Sequence, residues 1–250
     1  EFNMSVKIKR EIREIRVLLR SIPSPALTVL AVSVIAMNLL AGKSINLPAD
    51  WLALDCGIIV SWISFLIMDV ITKHFGPKAA TETSVVAVAV NLFACLIFFI
   101  AGHIPGMWSE AYAEGSEALI CGALDRTFSG TWYVLGSTAA FIISAAVNNF
   151  MNFSVGKLFR NNPDGFASYA CRTYVSTAIG QFTDNMIFAL LVSHVFFGWT
   201  LLQCVTCSLT GMLAELVCEV VFSPIGYSVL GRWKSEKIGK EYFELKACAQ

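Results

Sequence analysis

The stretch TAIGQFTDNMIFALL, residues 177–191, decides how this chain is read. Most of it is Ala, Ile, Phe, Met and Leu, the composition of a helix in hydrocarbon. Set among these are Gln181, Asp184 and Asn185. A carboxyl group at membrane depth costs roughly 3 kcal/mol or more, so such residues face a bundle interior or a water-filled cavity. The stretch therefore predicts a span inside a bundle whose interior is polar.

The rest of the chain agrees. Of 250 residues 56% are hydrophobic and 14% charged, with a mean hydropathy of +0.66. A soluble domain carries about 25% charged residues. A soluble all-α protein would need polar faces on most helices, and none can be drawn here. A membrane β-barrel would alternate apolar and polar residues, and this pattern is absent too. The fold class expected is all-α: a polytopic membrane protein with six transmembrane helices. The eight cysteines lie mostly in apolar runs, where they read as small hydrophobes. Cys204 and Cys207 form a CxxC without histidine or a second pair nearby, so no metal, redox or disulfide framework is expected.

The spans expected are 25–41, 51–72, 84–103, 132–153, 169–197 and 201–230. The first is short for the roughly 20 residues a crossing needs. The last two are long, which implies tilt, a break or an emergent end. Lysine and arginine give the orientation. Sixteen of the 18 fall before the first span, between the second and third, around the start of the fifth, or after the sixth; only Lys43 and Arg126 lie on the other side. Both termini are therefore expected to be cytoplasmic. Residues 1–4 read as an expression scar and start methionine, and 5–22 as an interfacial helix with Ile8, Ile12, Ile15 and Leu19 on one face. Residues 23–231 read as the transmembrane domain, and 232–250 as a basic cytoplasmic tail. The long loop 104–131, with Trp108, Tyr112, Glu110, Glu114, Glu117 and Asp125, reads as an acidic outer cap or a cation funnel.

Polar residues at depth repeat with helical spacing. Gly136, Ala140, Ser144, Asn148 and Asn152 step by four and form one stripe. Thr173, Thr177 and Gln181 form a second, flanked by Ser176, Gly180 and Asp184. Gly211, Glu215 and Glu219 form a third. Asp55, Trp62 and Asp69 recur every seven residues in a fourth. Interhelical hydrogen bonding explains Asn38, Asn91 and Gln203 adequately, and an i,i+4 pair with Lys73 is the plain account of Asp69. Asp184 and Glu215 are better read as ligand, ion or proton groups, and Asn185 falls off the polar face as a packing residue.

Three runs resemble one known family: LIMDVITKHFGPKAA (66–80), RTYVSTAIGQFTDNMIFALL (172–191) and VFSPIGYSVLGRW (221–233). The chain is similar, over about residues 30–234, to the bacterial queuosine-precursor transporters, also called the vitamin-uptake-like family. The resemblance implies six transmembrane helices and uptake of 7-deazaguanines: queuine, preQ1 or preQ0. It carries Asp69, Arg172, Ser176, Thr177, Gln181, Asp184 and Pro224 onto family positions. The chain departs from the family pattern at Lys73, where an acidic residue or arginine is frequent, and at Glu215, near which a lysine is expected.

The chemistry is consistent with such a ligand. A deazaguanine presents adjacent N–H and NH₂ donors, which one carboxylate can accept together. Asp184 takes that part. Gln181 or Asn148 would donate to the ring carbonyl, Trp62, Phe182, Phe188 or Tyr169 would stack, and Glu215 or Asp69 would meet the cationic amine of preQ1 or queuine. Asn38, Thr177, Arg172 and Glu219 complete the candidate substrate-binding set. No catalytic residue, metal or cofactor is expected, and no enzyme. The partners expected are the base, the lipid bilayer and a second copy of the chain, but no nucleic acid. The location expected is a bacterial inner membrane. The alternatives are the substrate-binding subunit of an energy-coupling-factor transporter and an intramembrane scaffold.

Overall fold

Proline and glycine set the corners of the fold. The computed structural model describes residues 2–45, 47–52, 54–106, 120–121, 131–159 and 164–248. Helix α1 (Phe2–Ser21) ends before Pro23, and α2 (Ser24–Ala41) begins there with proline in its first turn, where the missing N–H costs nothing. Helix α3 (Ile58–Phe75) stops at Gly76, whose φ of 96° is open to glycine. Pro77 then starts α4 (Pro77–His103). Helix α5 (Thr131–Gly156) runs into a 3-10 turn, Lys157–Phe159. Helix α6 (Phe166–Phe188) passes into a π segment, Ala189–Ser193, and a last turn, His194–Phe196. Thr200 and Gln203 form a capping box that opens α7 (Leu201–Ser235). Helix α8 (Lys240–Ala247) closes the described chain.

Six helices are long and apolar enough to cross a membrane, and the described residues contain no strand. Two boundaries differ from the sequence expectation. The second span begins at Ile58 instead of Trp51, because the chain before it doubles back: Ile45 N–H donates to Leu54 O at 2.8 Å and Cys56 N–H to Lys43 O at 2.8 Å. Asp55 therefore lies outside α3 and is not part of a heptad stripe. The third span begins at Pro77 instead of Ser84, because Lys78 and Glu82 pair with each other and Lys78 with Glu11 and Glu14 of α1, which lets the charged first turns stay helical. The long fifth span is interrupted by the π segment, and the long sixth continues as helix past Leu230 to Ser235. The segment after Leu230 stays helical and α8 packs on α1. The acidic loop with Trp108 and Tyr112, together with Arg126 and Arg160, lies outside the described residues.

Polarity decides which helices are central. Helix α3 touches α2, α4, α5, α6 and α7 and buries half of its span; α4, the most apolar, buries 22%. Residues such as Phe93, Leu96 and Ile97 of α4 are exposed, as lipid contact requires. Close approach of α5 to α6 depends on small residues: a Cβ on Gly180 would lie 2.8 Å from Asn148 Cβ.

Candidate functional site

Nearly every polar side chain flagged at membrane depth converges between α3, α5, α6 and α7, in two tiers. Glu215 and Glu219, one turn apart on α7, belong to different tiers, about 6 Å apart along the axis.

The first tier surrounds a small cavity at the Asp55 end of α3. Its polar lining is Asn38, Asp55, Ser61, Ser137, Asp184 and Asn185, and its apolar lining includes Met37, Ile58, Ala140 and Phe188. The cavity volume is about 40 Å³, room for about three waters at roughly 10–15 Å³ each. Asp184 accepts from Ser144 Oγ at 2.7 Å, its single hydrogen-bond donor among the described residues. Glu215 is far better supplied. It accepts from the Ser61 hydroxyl, from Asn185 Nδ2 at 3.4 Å, and from the Gln181 amide, whose nitrogen faces it at 2.8 and 3.3 Å. A carboxylate offers about four acceptor positions, so Glu215 is close to saturated and Asp184 is not. Gly211 makes this arrangement possible, since a Cβ there would lie 2.6 Å from Asn185 Nδ2. Asn38 accepts from the Ser137 hydroxyl and donates to Val34 O at 3.0 Å. Asp55 Oδ1 accepts the Gly57 N–H at 2.7 Å. Burial nevertheless pushes the Asp55 carboxyl up to about 7, with Asp184 adding to the rise and the Gly57 bond opposing it.

The second tier, toward the Lys73 end of α3, is a denser network centred on Asp69. Asp69 accepts from Asn148 Nδ2 at 2.9 Å and from Ser176 Oγ at 3.4 Å. Lys73 Nζ lies 3.8 Å from Asp69 and donates to the Thr173 hydroxyl, with side-chain exposures of 2% and 0% for the lysine and aspartate. The same ammonium sits 3.6 Å from the centroid of the Tyr169 ring, a cation–π contact. Thr177 donates to Glu219 at 3.3 Å. Arg172 donates to the Asn152 carbonyl and side-chain oxygens at 3.1 Å each, and Asn152 donates to Ser176 at 3.3 Å. The α5 stripe is thus a row of partners: Ser144 serves the first tier, Asn148 and Asn152 the second.

The sequence-derived candidates divide accordingly. Asp184 and Asn38 line the cavity, and Glu215 and Gln181 flank it. Asp69, Asn148, Thr177, Arg172 and Glu219 belong to the second tier. Trp62 sits apart: it stacks on Phe222 at 4.4 Å and donates to Ile59 O at 3.0 Å, away from the cavity lining. Asn185, read from the sequence as a packing residue, lines the cavity. Ser61 and Ser137 were not among the candidates, and serine in an apolar run is their only sequence signal. Asp55 belongs to the seven-residue stripe of the sequence reading, but it reaches the cavity through the loop that folds back on α2.

Six apolar spans around a carboxyl-rich interior define a multi-pass helical membrane protein. A family model described as "Putative vitamin uptake transporter" matches residues 55–229. The chain belongs to this family of membrane transporters, since the match covers more than half of it. No curated protein and no solved structure matched the chain.

Proposed function

We propose that the chain imports queuosine precursors, 7-deazaguanine bases, across a bacterial inner membrane with both termini cytoplasmic. One observation carries this reading: the cavity is lined by two carboxyl groups, Asp55 and Asp184, with two amides and two hydroxyls, and by no basic side chain. That donor set suits a neutral or cationic base with several N–H groups better than an anion.

Asp184, with acceptor capacity to spare, takes the adjacent N–H and NH₂ of the ring. Asn38 and Asn185 line the cavity, whereas Gln181 and Asn148 do not. Their amides are therefore the nearer donors to the ring carbonyl, with Asn185 exchanging its long 3.4 Å bond to Glu215 for the ligand. Asp55 faces the amine of preQ1 or queuine, in place of Glu215 or Asp69. A bicyclic base needs more room than three waters, so loading requires the surrounding helices to part. The π segment directly after Phe188 is a natural place for α6 to yield.

The test is uptake of queuine, preQ1 and preQ0 by a bacterium lacking its own synthesis and import, read as queuosine in tRNA. Restoration by this chain alone is expected. Restoration of none of the three defeats the substrate reading. Restoration only with an added ATPase module moves the chain to the energy-coupling-factor class.

A further inference from the structure

A second charged feature lies outside the bundle interior, beyond the Lys73 end of α3. Helix α1 has three faces. Val17 and Leu18, with Ile22 just after the helix, pack inward against the Phe75, Ala79 and Tyr242 cluster, and Glu14 is buried on the same side. Ile8 and Ile12 face outward, 54% and 53% exposed. Lys9 and Arg13 lie between these faces and, with Arg10, Lys78 and Lys246, border a cleft of about 720 Å³ between α1, α4 and α8.

The charges in this cleft are unequal. Five basic side chains meet two acidic ones, Glu11 and Glu14. Lys78 engages both acids, at 3.0 and 3.3 Å, and Lys246 lies 3.9 Å from Glu14. Glu82 also pairs with Lys78, at 3.5 Å, so the cleft keeps a net positive charge of about two. Its depth is fixed as well, because Lys78 is the second residue of a membrane-spanning helix. That places the cleft at headgroup level, with Ile8 and Ile12 beside it as an apolar edge. Polybasic groups at this level attract anionic lipid, and an apolar stripe next to them sinks into the acyl boundary.

We infer that the cleft between α1, α4 and α8 is a binding site for the phosphate headgroup of an anionic phospholipid, held by Lys9, Arg10, Arg13 and Lys246. The occupant is a membrane lipid and not a free anion, because the isoleucines give its acyl chains a surface that a soluble phosphate would not use. Binding there would fasten α1 and α8 to the leaflet and to the first turn of α4.

The purified protein in detergent is titrated with phosphatidylglycerol or phosphatidylcholine, and bound lipid is counted by native mass spectrometry. Preferential retention of phosphatidylglycerol is expected. An Arg10→Gln/Arg13→Gln double variant should lose that preference by roughly 20-fold, at about fivefold per charge. Lys43→Gln, an exposed charge at the opposite end, should keep it. The melting temperature of each variant in phosphatidylcholine confirms that it is folded; if the double variant is not, Lys9→Gln takes its place. Equal retention of the two lipids overturns the inference. So does an equal loss in Lys43→Gln, which would show general charge attraction. Displacement of phosphatidylglycerol by an equal concentration of glycerol phosphate would overturn the lipid assignment.

Discussion

The two carboxyl tiers share helices and residue types, yet they are built for different ends: Asp69 is fully buried, Asp184 and Asp55 only partly. In the tier around Asp69 that carboxyl group is answered from within the chain: Lys73, Asn148 and Ser176 serve it, and Lys73 is itself held by Thr173 and the Tyr169 ring, while Glu219 keeps one buried oxygen without a hydrogen-bond partner among the described residues. In the tier around Asp184 one hydroxyl answers the carboxyl group, and a cavity occupies the remaining space. A buried acid in a membrane helix is thus not informative by its presence alone. What separates a lock from a receptor is whether the protein supplies the donors or leaves them to something else.

The largest expected effect probes the lock. Lys73→Met leaves Asp69 buried without its ammonium and should cost about 3–5 kcal/mol, whereas Asp69→Asn combined with Lys73→Met should recover most of it. Thermal melting in detergent measures both. A Lys73→Met protein as stable as the parent would erase the distinction between the tiers.

A smaller effect concerns Asp55. Its carboxyl, raised by burial to about 7, is mostly protonated at pH 6 and mostly ionised at pH 8. The aliphatic amine of preQ1, near an ordinary value of about 10.4, stays cationic throughout. Affinity should therefore rise with pH over this range, by up to about fivefold for a partly exposed pair. Asp55→Asn should flatten the curve, and an unchanged slope in that variant would remove Asp55 from the site.

Gly211→Ala pushes the Asn185 amide off Glu215 and should weaken binding by about 1 kcal/mol, one hydrogen bond's worth, with little loss of stability. Smallest in binding is Trp62→Ala. It should cost about 0.5–1.5 kcal/mol of stability through the lost Phe222 stack and leave affinity unchanged; a large affinity loss would return Trp62 to the ligand.

The sequence made the spans and the acidic depths legible, because hydropathy and helical spacing are local properties. It misplaced the starts of α3 and α4, where a turn-forming Asp55 and an intersubstructure ion pair at Lys78 override hydropathy. It could not separate the tiers. Which carboxyl group Gln181, Asn148 or Ser144 answers depends on how α5, α6 and α7 pack, and no spacing along one helix encodes that. Asn185 shows the limit most clearly: it is off the polar face of α6, yet Gly211 on α7 leaves the gap through which its amide reaches Glu215.

The central claim is that Asp184 is a receptor and not a strut. Calorimetric titration of preQ1 into the purified protein and its Asp184→Asn variant tests it directly. The account predicts roughly 10- to 100-fold weaker binding, the value of a hydrogen-bonded charge, with the melting temperature nearly unchanged. Equal affinity in the two proteins, or a variant that loses stability and not affinity, would contradict it.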